Sequence, residues 1–199
     1  MPEIPNTPKD WLLDLNKAIL SSGCKKKGKI IGFEDGLTIA ESLIQAKIKS
    51  GSSVWWVGNG GSAAMCSHLS QDMLNKLGAR SMVLGDASLM TCMANDFGYE
   101  NVYYKPLKTL AKSGDLLIAI SSSGDSENII SCSKMALETG IDLISLSGLH
   151  ENNRLWSMES DLSFFVTSNL YGIVEVAHEA ILHSVIETLW LNKKEILNG

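Results

Sequence analysis

From residue 53 onward, short apolar runs alternate with stretches of helical spacing, and two of the runs end in turns rich in glycine and serine. The runs lie at 53–57, 81–84, 114–120, 141–147 and 162–166. The helical stretches lie at 61–77, 87–95, 101–112, 126–139 and 170–194, with a short one near 152–158. Strands that are apolar throughout must be covered on both faces, and strand–helix alternation supplies that cover as a parallel sheet between two helical layers. In such sheets ligands bind beyond the carboxyl ends of the strands, where both turns fall. Trp55 and Trp56 are read as core and sheet-face residues. Upstream, 8–22 and 34–50 place Trp11, Leu12, Leu15, Ala18 and Ile19, then Leu37, Ala40, Leu43, Ile44 and Ile48, at helical spacing. Both precede the first expected strand, so they are not crossovers, and packing against a partner subunit is the use expected of them.

The two turns carry the chemistry. Ile118–Asn128 reads IAISSSGDSEN, a strand that breaks into serines and a glycine and restarts as a helix. The first N–H groups of a helix have no intrahelical partner and carry partial positive charge, so hydroxyls grouped there form a cradle for an anion. Val54–Ser62, VWWVGNGGS, is a second turn of this kind. Gly58-Asn59-Gly60-Gly61-Ser62-Ala63 also fits the loose dinucleotide pattern, with Asp86 about where a ribose-binding acid would stand. A dinucleotide site has no use for Ser121, Ser122, Ser123 and Ser126, and the chain has no second domain for a reducible substrate. A small phosphorylated substrate accounts for both turns, with no nucleotide cofactor.

A chain of 199 residues suits one α/β domain with an N-terminal extension, read as 1–33 and 34–199. A hydrophobic content of 45% with only 20% charged residues favours an oligomer, and a net charge of −5 argues against nucleic acid as a partner. Lys25-Lys26-Lys27 is too short a basic run to change that. With no leader pattern, no apolar run long enough for a membrane span and no CxxC among Cys24, Cys66, Cys92 and Cys132, the expectation is a cytoplasmic protein with reduced thiols.

His68 and Asp72 stand four apart on the helix after the first turn, a spacing that puts both on one face for metal binding or proton relay. The last helix supplies Glu175, His178, Glu179 and His183. At ~100° per residue His178 and His183 point about 140° apart, so one faces a site and the other packs or meets solvent.

These residues together resemble the sugar-isomerase (SIS) domain family, and within it the bacterial phosphoheptose isomerases. The resemblance runs from about residue 34 to 192 and rests on GNGGSAA at 58–64 followed by His68, TCMANDFGYENVY at 91–103, GDLLIAISSSGDS at 114–126 and EVAHEAILH at 175–183. It implies a flavodoxin-like αβα sandwich with a five-stranded parallel sheet, and a homotetramer with active sites between subunits. It also implies conversion of sedoheptulose 7-phosphate to a heptose 7-phosphate for surface-polysaccharide heptose. Asn59, Gly60, Gly61 and Ser62, with Asn95, Asp96 and Glu175, would bind the sugar, and Ser121, Ser122, Ser123 and Ser126 its phosphate. The family's divalent metal, usually zinc, maps to His68, Asp72, Glu175 and His183, with Asp72 as base and His183 as acid in an enediolate mechanism.

The chain departs from the family at three places: glutamate is usual at Asp72, aspartate at Met65 and glutamine at Glu175. A carboxylate one methylene shorter moves a reacting group by roughly 1 Å, which can cost about a hundredfold in rate, while two acids would favour a dication. Glu175 and His183 are also about 12 Å apart along one helix at ~1.5 Å per residue, so either a neighbouring subunit completes the site or Glu179 replaces Glu175 beside His183. The alternatives to the heptose reading are an isomerase of another sugar phosphate and a non-catalytic family member that binds the replication initiator.

Overall fold

The computed structural model describes residues 5–198. In chain order it comprises α1 (Pro8–Leu20), β1 (Gly23–Lys26), β2 (Lys29–Ile31), α2 (Phe33–Ser50), β3 (Ser53–Val57), α3 (Gly61–Asp72), β4 (Arg80–Val83), α4 (Ala87–Phe97), α5 (Tyr104–Leu110), β5 (Leu116–Ile120), α6 (Glu127–Thr139), β6 (Asp142–Gly148), β7 (Leu162–Val166) and α7 (Tyr171–Asn198). All strands join one sheet in the order β2-β1-β7-β6-β5-β3-β4. The five from β7 to β4 are mutually parallel, as the αβα reading expects.

The sheet nevertheless has seven strands rather than five. A hairpin, β1–β2, is laid antiparallel on the edge strand β7. Its two-residue loop is Lys27-Gly28, with φ of 47° and 76°, the pair of positive φ values that matches the twist of a tight hairpin. Within β1, Cys24 is buried, Lys25 is half-buried with its ammonium over the Trp156 ring, and Lys26 is exposed, so the lysine run is part of a strand. The hairpin also separates the two N-terminal helices, so only α1 precedes the first strand. α1 packs along α7, and α2 packs on α7, β1 and β7.

Alternate residues of each central strand feed opposite layers, as the two-residue period of a strand dictates. In β3, Val54 and Trp56 join the core beneath α1, α2, α3 and α7, while Trp55 and Val57 join the core beneath α5 and α6. In β5, Leu116, Ile118 and Ile120 face the first layer and Leu117 and Ala119 the second. The strands therefore have no polar face, which is why they read as continuous apolar runs.

Two expected helices are altered. The stretch 61–77 is helical throughout but changes after Asp72 to a π turn, Met73–Leu77, that ends at Gly78 with φ 70°. Residues 151–158 form turns and no helix. Asn153 causes this: its amide nitrogen donates to the His150 carbonyl at 2.7 Å and its side-chain oxygen accepts from the Trp156 N–H at 2.8 Å, replacing helical bonds with side-chain ones.

At the amino ends of the strands, buried Asp115 ties three segments together. Its carboxylate accepts from the Ser53 N–H at 2.8 Å, the Trp55 indole N–H at 3.0 Å and the Lys112 N–H at 3.0 Å. At the other end, His178 of α7 is 0% exposed and its Nε2 lies 3.0 Å from the Ser147 carbonyl of β6, so the ring pins the helix to the strand end. Among the described residues its Nδ1 has no hydrogen-bond partner.

Two stability predictions follow from these anchors. Asp115→Ala strips the acceptor from three N–H groups and is expected to lower the unfolding free energy by about 3 kcal/mol in urea titrations. For His178, burial lowers the pKa from 6.5 to about 4, against the opposing hydrogen bond with Ser147. Between those values the unfolded chain binds a proton that the folded chain refuses. The contribution to stability is complete above pH 6.5 and is lost, to a total of about 3 kcal/mol, as pH falls toward 4. His178→Leu should therefore show a shallower fall in urea stability between pH 7 and pH 4.5 than the unmodified chain.

Candidate active site

β3 and β5 lie side by side although β4 falls between them in the chain. The chain leaves β3 for the β4 edge and then returns to the other side of β3, so the connections diverge and leave a crevice at the strands' carboxyl ends. α3 leaves β3 for one face and α6 leaves β5 for the other. The glycine turn and the serine turn are consequently neighbours across this crevice.

In the glycine turn, the Tyr103 hydroxyl donates to the Gly58 carbonyl at 2.5 Å and the Tyr99 hydroxyl donates to Asn59 Oδ1 at 3.2 Å. Ser62 is buried, whereas Gly60 and Gly61 are open to solvent. Glu175 of α7 approaches Gly61 so closely that a Cβ there would lie 2.9 Å from Glu175 Oε2. A carboxylate in this place answers the partial positive charge of the α3 N-terminus.

The serine turn is fastened to the end of β6. Ser121 N–H donates to the Leu146 carbonyl at 3.0 Å, and Gly148 N–H donates to the Ser122 carbonyl at 3.0 Å. Gly124 has φ 69°, and a Cβ on it would overlap the Asn153 side chain, so the turn admits only glycine there. Ser121 Oγ donates to Ser126 Oγ at 3.2 Å, and the Asp125 N–H donates to Ser123 Oγ at 3.3 Å. Ser122 Oγ is buried without a partner. An unmet buried hydroxyl costs about 1–3 kcal/mol, and beside the start of α6 it is a donor suited to an anion.

A His/acid cluster stands farther along α3 and α7, with Asp72 eleven residues beyond Gly61 on α3, about 16 Å at ~1.5 Å per residue. His68 and Asp72 come from α3 and His183 from α7, and one donor atom from each lies within 4.8 Å of the others. His183 Nδ1 is 3.8 Å from Asp72 Oδ2, and the His68 and His183 rings meet edge to face at 5.1 Å. Asp72 is 6% exposed. Lys76, on the π turn, donates to Asp72 Oδ2 at 2.9 Å and to Glu187 Oε1. Those bonds, Glu187 first and Asp72 second, push the Lys76 pKa up and keep its ammonium charged. Two imidazoles and one carboxylate with a side open to solvent suit a divalent cation of the zinc type, which takes three protein ligands in reactive sites.

Three of the four expected metal ligands are thus together, and Glu175 lies outside the group. The helical rise separates it from His183, and it sits on Gly61 instead. Glu179 is the acid beside His183, with Oε1 at 4.0 Å from Nε2. Asn95 and Asp96 are exposed on α4 and hydrogen-bonded to each other at 2.8 Å, with no bond to either turn among the described residues. Sequence reasoning missed Lys76, Glu187, Tyr99, Tyr103 and Asn128. Only Lys76 left a local signal, a lysine four residues after an acid on a helix.

The SIS domain family model matches residues 33–148. A phosphoheptose isomerase of Campylobacter concisus is 30% identical over 159 residues, 77% of this chain and 83% of the relative. One from Maridesulfovibrio salexigens is 32% identical over 146 residues, 70% of each. Among solved structures, the phosphoheptose isomerase of Neisseria gonorrhoeae superimposes with a TM-score of 0.73 at 26% identity, over 78% of this chain and 85% of that one.

A cation bound by His68, Asp72 and His183 must share Asp72 with the Lys76 ammonium. Lys76→Met is expected to tighten divalent-cation binding on the order of tenfold, and His68→Ala to weaken it at least as much. Competition against a chromophoric chelator measures both.

Proposed function

The chain belongs to the SIS domain family, and from that premise we propose that it is a phosphosugar isomerase that interconverts sedoheptulose 7-phosphate and D-glycero-D-manno-heptose 7-phosphate. The observation that carries this reading is a buried carboxylate, Asp72, facing an imidazole, His183, at 3.8 Å, in a chain that also carries a serine turn with an unmet hydroxyl; an active site between subunits would bring one copy's pair to another copy's turn. An aldose–ketose isomerase needs these parts: an anchor for the phosphate, a base at carbon and an acid at oxygen.

In this reading Ser121, Ser122, Ser123 and Ser126, with the first N–H groups of α6, hold the phosphate. Asn59, Gly60, Gly61 and Ser62 line the sugar's path, with Glu175 at the same turn. Asn95 and Asp96 of α4 would also contact the sugar. Asp72 takes the proton from C1 of the ketose, and the electron pair of that C–H bond becomes the C1–C2 double bond of the enediolate. His183 supplies a proton to the C2 oxygen as the carbonyl opens. Return of a proton to C2, with loss of the one on the C1 oxygen, gives the aldose, so no redox cofactor is consumed. Both the Lys76 bond and the His183 contact fall on Asp72 Oδ2, which assigns the proton transfer to Oδ1. His68, Asp72 and His183 would hold zinc, which supplies positive charge to the substrate oxygens.

The same reading takes the chain as a homotetramer with sites between subunits, and residues 1–33 as part of its packing. Leu12, Leu13 and Leu20 on α1, Phe97 on α4, and Tyr171 and Val176 on α7 are exposed apolar side chains that such packing would cover. The product would feed heptose into a surface polysaccharide. We place the protein in the cytoplasm, in keeping with its four unpaired cysteines and a phosphorylated substrate.

The metal-loaded protein incubated with sedoheptulose 7-phosphate should form the aldose, with Asp72→Asn and His183→Ala each slowing turnover by about a hundredfold or more. Absence of turnover by the unmodified chain on this and other ketose phosphates would overturn the reading.

A further inference from the structure

Asn128, the second residue of α6, is 2% exposed and carries no expected role. Its amide is paired with that of Asn59 across the crevice. Asn59 Nδ2 donates to Asn128 Oδ1 at 2.9 Å, and Asn128 Nδ2 donates to Asn59 Oδ1 at 2.8 Å. The pair closes a ring of two hydrogen bonds between the glycine turn of β3 and the helix that starts at the serine turn of β5. Turning one amide alone would set nitrogen against nitrogen and oxygen against oxygen, so the two can turn over only together, and the Tyr99 hydroxyl, a better donor than acceptor, opposes that by donating to Asn59 Oδ1.

Counting valences shows what is left for a ligand. An amide oxygen has two lone pairs, and the amide nitrogen has two hydrogens. Asn59 Oδ1 already accepts from Asn128 and from the Tyr99 hydroxyl at 3.2 Å, so both lone pairs are engaged. Asn59 Nδ2 uses one hydrogen on Asn128 and keeps the other. Asn59 itself is half-buried, so that hydrogen has a way out of the protein.

We propose that Asn128 is a positioning residue that fixes Asn59 as a donor and denies it to the substrate as an acceptor. The sugar atom that meets Asn59 is then an oxygen presenting lone pairs, such as a carbonyl or enediolate oxygen. A donor held in place before the reaction stabilises charge that develops on such an oxygen without reorganising, which is where a fixed dipole contributes most. This inference rests on the isomerase reading for the identity of the ligand, but the orientation of Asn59 is a property of the free protein.

The test has two arms. In nitrogen-15 spectra of the unmodified chain, the two side-chain amide protons of Asn59 should exchange with water at clearly different rates, and both of Asn128 should be slow. Equal, fast exchange of the two Asn59 protons overturns the proposal whether or not the protein turns over a sugar. The second arm is a double-mutant cycle on ketose-phosphate turnover. Asn128→Leu keeps the approximate volume, adds no charge beside the serine turn and removes the donation to Asn59. It should lower kcat by tenfold or more with little change in the inhibition constant of inorganic phosphate. In an Asn59→Ala background the same change should alter kcat less than twofold, because its effect passes through Asn59. Losses that multiply in full would reduce Asn128 to a brace between turns and overturn the proposal. Failure of the unmodified chain to isomerise any ketose phosphate counts against the isomerase reading alone, since the exchange arm stands without turnover.

Discussion

The site depends on one topological constraint, the adjacency of β3 and β5. In the order β7-β6-β5-β3-β4, the chain changes direction across the sheet between these two strands and nowhere else. Helices after them leave to opposite faces, so nothing covers the two strand ends, and two helix N-termini open into one crevice. Residues 58–62 and 121–126 are neighbours only for that reason. α7 then starts from the same end of the sheet, pinned at the Ser147 carbonyl by His178, and delivers Glu175 to it, while His183 lies about 12 Å farther along the helix beside Asp72. One carbonyl–imidazole bond thereby places the chemistry of the last helix relative to the serine turn, because the next residue after Ser147, Gly148, holds the Ser122 carbonyl.

Features written in consecutive residues were legible in the sequence. Apolar runs at 53–57 and 162–166 became strands with the expected bounds, and the glycine and serine turns sit at strand ends as their composition requires. The resemblance in GNGGSAA and ISSSGDS carried the fold class for the same reason. The hairpin at 23–31 was not legible, because Lys27-Gly28 inside a lysine run lacks the usual Asn-Gly or Asp-Gly mark of such a loop. The turns at 151–158 were misread as a helix because the spacing of Leu155, Trp156 and Met158 says nothing of how Asn153 uses its side chain. Asn128 was invisible altogether: its meaning lies in Asn59, sixty-nine residues away. Local pattern gives elements, while partners across a crevice are set by the fold.

Met65, Asp72 and Glu175, the positions at which the sequence reading expects a departure from the family, find local accommodation. Met65, on the inner face of α3, is a buried core residue, so the apolar side chain suits its surroundings. Asp72 is short and buried, and Lys76 reaches it from the π turn that begins at the very next residue. Lys76 is balanced in turn by Glu187. A retracted carboxylate is therefore not left as a lone charge in a dry place, which would be costly. Its orientation is set by an ammonium, and any dication must enter against that ammonium.

Glu175 bears on which end of the substrate goes where. The crevice has two helix N-termini, and by dipole alone either could take a phosphate. At α3 the place is already faced by the Glu175 carboxylate, lying against Gly61. A phosphate there would meet a like charge at close range in a partly dry site, where repulsion is little screened. At α6 the flanking acids Asp125 and Glu127 are instead engaged by Arg154, whose guanidinium bonds the Glu127 carboxylate at 2.7 Å and the Asp125 carbonyl at 2.6 Å. The serine turn is left with neutral hydroxyls, one of them unmet, and an open helix start. We infer that charge sets the polarity of binding: the anion goes to α6, and the uncharged end of the sugar goes to the glycine turn. That is the end at which Asn59 offers a hydrogen.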